Sequence, residues 1–174
     1  MPPDPPQGDR GIANKLAARL AEEHYGTGPL AQLGRLDPAG SLMAPALQRL
    51  LVQYVDTDHP GRLRLWALFI HCLAIVSPQP AGAVPLGQAL FEAGYNEGRT
   101  SRLLAARADD LAGLMPRTMR LLKAKGVAFT PVTLWDFLHA TMTPALDGRW
   151  ADDARTRLAR AYYRAENATK GTAA

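Results

Sequence analysis

Residues 65–76 read Leu-Trp-Ala-Leu-Phe-Ile-His-Cys-Leu-Ala-Ile-Val, an apolar run of 12 residues broken in polarity only by His71. A membrane-spanning helix needs about 20 apolar residues, so this run is too short to cross a bilayer. It shows no alternation of apolar and polar positions, and a helix that is apolar all round has to be covered on every side. The run therefore predicts a central buried helix, about Arg62 to Val76, and the rest of the chain has to supply amphipathic elements around it.

The remaining sequence supplies such elements as helices. Ile12, Leu16 and Leu20 recur every four residues between Gly11 and Glu23. A short turn of helix carries Leu30, Leu33 and Leu36, and Ser41 is placed to cap a helix running to about Val55. The second half reads as helices near 86–93, 96–107, 109–125, 131–141 and 150–166, with Asn96 as a cap and Pro131 in a first turn. Pro116 interrupts the third of these, which is then either kinked or two pieces. With aromatics at 7% the core rests on Leu, Ala, Val and Met, and Leu and Ala are good helix formers. The expected fold is all-α, a helical bundle of about eight helices in two small lobes. The lobes would be residues 10–76 and 86–166, joined by the Pro-rich linker 77–85, with a flexible arm at 1–9 and a flexible tail at 167–174.

Most chemistry is disfavoured by spacing. His24, His59, His71 and His139 lack metal-ligand spacing, and each reads as a surface or loop residue, or as a satisfied core group for His71. Cys72 is the lone cysteine and sits among Leu, Ile and Val, so an inert core thiol and a cytoplasmic compartment are expected. Asp109-Asp110 and Asp152-Asp153 are helix neighbours pointing about 100° apart, better suited to helix N-terminal turns than to sharing a proton. The glycines from Gly82 to Gly98 fit neither a phosphate loop nor a dinucleotide fingerprint. The polar, Pro-rich N-terminal residues carry no hydrophobic signal region. No enzyme activity, cofactor or metal is expected.

Charge is the informative signal. The net charge is +4, from 16 Arg and 4 Lys against 16 acidic residues. Residues 99–125 alone carry +5, so the rest of the chain is close to neutral. On a helical wheel Leu111, Leu114, Met115, Leu121 and Leu122 share one side, while Arg117, Arg120 and Lys123 follow at i, i+3, i+6 on the other. Arg99 and Arg102 repeat the i, i+3 spacing one helix earlier, and Arg107 lies between. Single-sign arginine points to a polyanion, because the guanidinium fork matches phosphate. No aromatic residue lies between Arg99 and Lys125, so backbone phosphate and not base stacking is the expected contact. Trp135, Trp150, Tyr162 and Tyr163 are read as packing residues.

The segment Leu86-Gly-Gln-Ala-Leu-Phe-Glu-Ala-Gly-Tyr-Asn-Glu-Gly-Arg99 resembles the small subunit of type I-E CRISPR surveillance complexes, the CasB family. So do Arg102–Arg107, Arg120–Gly126, Trp135–Leu138 and the closing Arg155-Thr-Arg-Leu-Ala-Arg-Ala-Tyr-Tyr-Arg164; Gln32–Leu36 is a less distinctive match. The resemblance is good over about 80 residues, Leu86 to Arg164, and its specificity lies in the order and spacing of the motifs. It implies a non-catalytic helical subunit that holds displaced and target DNA strands in an R-loop. The implied partners are the guide-RNA ribonucleoprotein, the backbone and large subunits and a second copy of itself, with no membrane. By matching neighbours, DNA-contacting positions carry over to Arg35, Arg62 and Arg120, and within a residue or two to Arg99, Arg102 and Arg107; Arg64 extends the set. Pro116, Gly34 and the stretch from Ala140 to Gly148 depart from the family pattern. Two other readings of the charge are a helix-turn-helix regulator reading through residues 103–125 and a scaffold meeting an acidic protein.

Overall fold

The computed structural model describes residues 7–143 and 148–172. Among the described residues there are nine α-helices, one 3-10 turn at Glu23–Tyr25 and no strand beyond an isolated bridge between Val84 and Phe129. The helices are α1 (Gln7–Ala21), α2 (Thr27–Gly34), α3 (Pro45–Tyr54), α4 (Pro60–Val76), α5 (Leu86–Glu92), α6 (Glu97–Leu104), α7 (Ala108–Lys125), α8 (Pro131–Met142) and α9 (Gly148–Thr172). The fold is all-α, as the patterning predicts.

Helix α4 occupies the centre. Every residue from Leu65 to Val76 is buried, because α1, α2, α3, α7 and α8 all pack on it. At its middle Trp66 and Trp135 of α8 stack with centroids 3.7 Å apart, and Phe69 meets both edge-on. Apolar side chains from both sides of the 77–85 segment form one continuous cluster. That segment is held at several points. Ser77 Oγ donates to the Leu20 carbonyl (2.9 Å), Gln79 Oε1 accepts from the Phe129 amide (2.8 Å), and the Thr130 amide donates to the Val84 carbonyl (2.8 Å).

Boundaries differ from the sequence reading where side chains found other partners. The helix expected from Ser41 starts at Pro45; Ser41 Oγ instead accepts from the Met43 amide within the preceding loop. Helix α1 begins at Gln7, and Asp9 of its first turn is buried against Arg62. The rest of the expected arm, residues 1–6, lies outside the described residues. Helix α9 continues past 166 to Thr172. Pro116 sits inside an unbroken α7, buried, and Gly126 ends that helix at φ +65°, a left-handed conformation that glycine takes without strain. Asn96 caps α6 as expected, its side chain accepting from the Arg99 amide at 2.9 Å.

Candidate nucleic-acid interface

Helices α6 and α7 are joined by the three residues 105–107, and this short connection brings their outer faces side by side. Asp110 Oδ2 accepts from the Arg107 amide at 3.0 Å, which fixes the first turn of α7 where its dipole favours a carboxylate. Leu111, Met115, Met119 and Leu122 are buried, so Arg117, Arg120 and Lys123 are turned to solvent along the other face. A buried polar chain locks this arrangement. Tyr162 of α9 donates to the Tyr95 carbonyl (2.7 Å), and the Tyr95 and Thr118 hydroxyls lie 3.2 Å apart. The start of α9 adds a bond from Arg155 Nη2 to the Ala106 carbonyl at 3.2 Å.

The result is an open groove of about 430 Å³ lined by Arg102 of α6, by Ala105 and Ala106 of the connection, and by Gly113, Leu114 and Arg117 of α7. Asp110 also borders it. Arg99 and Arg107 are exposed nearby in sequence, on the first turn of α6 and just before α7.

The other sequence-predicted cations are placed differently. Arg120 is exposed on α7, which packs on α4, and its charge acts electrostatically on His71 of that helix. Arg35, exposed, caps the C-terminal end of α2. Lys123 Nζ lies 3.4 Å from the Ser77 carbonyl. Arg62 Nη2 holds both oxygens of Asp9, at 2.9 and 2.8 Å. Arg64 Nη1 gathers the carbonyls of Pro38, Ala39 and Gly40, the shortest contact being 2.9 Å. Each of these two arginines thus commits part of its donor set to the fold and keeps its other N–H groups.

Sequence reasoning passed over one further cationic group. Arg157, Arg160 and Arg164 of α9 border a separate cleft, together with Arg10 of α1. The signal was available as the i, i+3, i+7 spacing within the last quoted motif.

The histidines and the cysteine are core groups at three positions. Burial pushes the Cys72 thiol far above its ordinary value. His71 is 2% exposed, with Nδ1 2.7 Å from the Leu33 carbonyl. His139, expected at the surface or in a loop, is 7% exposed and stacks on Trp135. Burial is the main reason that both histidines titrate below the ordinary 6.5; Arg120 adds to this at His71 and Arg62 at His139, while the Leu33 carbonyl and Asp37, and Asp9, respectively oppose it. The linkage has a definite sign. Above pH 6.5 both states are neutral at these positions; below it the unfolded chain takes up protons that the folded chain refuses, so stability falls as pH drops. Each such proton contributes a slope of up to about 1.4 kcal/mol per pH unit. Melting curves below pH 6.5 should show this acid limb, and the double variant His71→Gln/His139→Gln should flatten it. An equally steep limb in that variant would assign the effect to carboxylates.

Among the described residues, no group of three or more His, Cys, Asp or Glu is placed to hold a metal ion, and no helix is long and apolar enough to cross a membrane. Trp135 and Tyr162 pack in the core and Tyr163 is half-buried; the side chain of Trp150 lies outside the described residues, as do residues 144–147 of the 140–148 departure.

No curated protein and no solved structure matches this chain. The family model described as CRISPR-associated protein Cse2 matches residues 29–163, a span that runs from α2 to α9 and contains the α6–α7 groove. The chain belongs to the Cse2 family, the small subunits of the type I-E CRISPR Cascade complex.

Proposed function

We propose that this Cascade subunit is non-catalytic and stabilises an R-loop by gripping DNA phosphates, and that the α6–α7 groove is its principal contact. The observation that carries this reading is the meeting of Arg102 and Arg117, from two helices, in the lining of one open groove. Both residues are exposed, so phosphate can be taken bidentately without first breaking an internal ion pair. Arg99, Arg107, Arg120 and Lys123 would lengthen the track to either side. Arg35, Arg62 and Arg64 would continue it along the other half of the chain, the last two through donors left over from Asp9 and from the 38–40 carbonyls.

Displaced and target strands are the proposed nucleic-acid partners, with the guide-RNA ribonucleoprotein, the backbone and large subunits and a second copy as protein-level partners. Pairing energies in an R-loop nearly cancel, so a few backbone contacts suffice to tip the exchange. The compartment proposed with this role is the cytoplasm.

The three-residue connection between α6 and α7 is also a length that a helix-turn-helix uses. A recognition helix reads bases with its N-terminal residues, and there α7 presents Asp109 and Asp110. In a major groove both carboxylates would lie at the reading end with no arginine on that turn of α7, whereas in the α6–α7 groove Asp110 alone is present and is outnumbered by Arg102 and Arg117, so backbone tracking is favoured.

The test is the salt dependence of DNA binding by the assembled complex. Arg102→Ala/Arg117→Ala should weaken binding alike on unrelated target sequences. It should reduce the slope of log K against log salt by about 0.7–0.9 for each phosphate no longer held, so by about 1.5 for two. Arg120→Ala should lower it by the amount for one phosphate. Weakening confined to particular sequences would mean base readout and would sink the assignment.

A further inference from the structure

Helix α9 packs on α5 and α8, and beside this packing lies a cleft of about 520 Å³. Its floor is apolar, made by Leu86, Phe137 and Leu158. Its rim is cationic: Arg157, Arg160 and Arg164 stand along one flank of α9, all exposed, and Arg10 of α1 closes another side. Asp136 is the one carboxylate among the described lining residues, and Arg10 Nη2 binds it at 3.0 Å. Among the described residues no carboxylate pairs with any of the three α9 arginines. Among the described residues, then, three guanidinium charges over a low-dielectric floor have no carboxylate paired to them, an arrangement that focuses field on an incoming anion.

The cleft shares no lining residue with the α6–α7 groove. At 100° per residue, Arg157, Arg160 and Arg164 fall within about 60° of one another. They lie roughly opposite Arg155, whose side chain reaches the Ala106 carbonyl, while Tyr163, about 60° beyond Arg160, reaches Glu97 of α6. From Arg157 to Arg164 the helix rises about 10.5 Å, close to three steps of about 3.4 Å along a stacked strand, so the arginines fall along a run of about three to four phosphates. Guanidinium forks, and not ammonium groups, are used at all four positions, which matches planar two-point recognition of phosphate oxygens.

We propose that the cleft between α5, α8 and α9 is a second phosphate-binding site, independent of the α6–α7 groove, which holds about three consecutive phosphates of a nucleic-acid strand on Arg157, Arg160 and Arg164. Arg10 is the positioning residue of the site, and its pairing with Asp136 keeps that carboxylate from neutralising the α9 cations. The proposal stands on the cleft itself and does not rest on the groove assignment.

The full chain, labelled oligothymidylate, labelled oligouridylate, inorganic tripolyphosphate and polyglutamate make up the test. Arg157→Gln/Arg160→Gln/Arg164→Gln should weaken binding of both oligonucleotides by at least about tenfold at low salt and cut the salt slope by about 2. The same weakening should appear on top of Arg102→Gln/Arg117→Gln, so the two sites can fail separately. The replaced side chains are exposed, so the melting temperature should not change. Unchanged affinity and slope in both backgrounds, or no strand binding by the wild-type chain, overturns the proposal. Weakening confined to tripolyphosphate shows a site for free polyphosphate and overturns the strand as ligand. Strand binding that survives the triple substitution, while binding of polyglutamate is abolished, overturns it in favour of an acidic protein segment.

Discussion

Trp135→Ala should cost about 3–5 kcal/mol of stability, the range for removing a large buried aromatic. For a chain of this size that corresponds to a fall of roughly 6–20 °C in melting temperature. Trp135 is fully buried, with Trp66 stacked on it at 3.7 Å, Phe69 edge-on at 5.4 Å and His139 stacked at 5.5 Å. Deleting one ring therefore leaves three others underpacked across the α4–α8 junction, and none of them is a flexible aliphatic that could fill the space. Trp66→Phe should cost much less than the change in volume suggests. The indole N–H of Trp66 has no hydrogen-bond partner among the described residues, so its removal relieves a buried unpaired donor. Val52→Ala, at a residue 84% exposed, serves as the control and should leave the melting curve in place. Thermal unfolding followed by circular dichroism checks all three. A shift under about 3 °C for Trp135→Ala would mean that the ring stack does not hold α4 to α8.

The Trp66–Trp135 stack also shows where sequence reasoning stops. That Leu65–Val76 would be a fully buried helix followed from twelve apolar residues with no polar face, and it is buried throughout as part of α4. Nothing in periodicity says which distant residue meets Trp66, because Trp135 is supplied by another helix and partner choice is a property of the assembled core. The helices of the second half were legible for the same local reason: Asn96 and Pro131 punctuate amphipathic stretches, and α5 to α8 fall within a few residues of the expected spans. The start of α3 was misread because Ser41 has two local uses, helix cap or loop turn, and the loop took it. His139 was misread because one polar residue in an apolar helix says nothing of how much neighbouring helices will cover it.

The α6–α7 groove was half legible. The i, i+3, i+6 stripe of Arg117, Arg120 and Lys123 faces outward as the wheel requires, since Leu111, Met115 and Leu122 claim the core side. That Arg102 and not Arg120 shares a groove with Arg117 depends on the angle at which α6 and α7 meet, and spacing carries no such angle. Arg62 and Arg64 illustrate the converse. Their neighbours in sequence suggest cations free for DNA, while the acceptors that occupy them, Asp9 and the 38–40 carbonyls, lie 53 and about 25 residues away in the chain.

Gly87→Ala should reverse the usual sign of its substitution. In an ordinary helix alanine is favoured over glycine by about 1 kcal/mol, because glycine gives up more backbone entropy on folding. Gly87 lies within α5, where a Cβ would overlap the Leu158 carbonyl oxygen of α9 and come to 2.9 Å from the Ala161 Cβ. The obstacle is backbone, so no side-chain rotation relieves it, and α5 would have to move off α9. Overpacking of this kind costs about 1–3 kcal/mol where side chains can yield, and more where they cannot. We expect a net destabilisation above about 3 kcal/mol, which would lower the melting temperature by at least about 6 °C. Leu86, Ala89 and Leu90 are buried beside Gly87 on the same helix, so the disturbance would propagate to Leu158 and Tyr162 and loosen the bond from Tyr162 to the Tyr95 carbonyl. That bond anchors the segment from which α6 departs, so the variant should also weaken DNA binding although it removes no charge. Gly113→Ala supplies the comparison. Gly113 lies within α7 with no atom within 4 Å of an added Cβ, so there the ordinary gain of up to about 1 kcal/mol should appear. Opposite shifts at the two glycines would establish that α5 and α9 meet backbone to backbone; stabilisation at both would show that they do not.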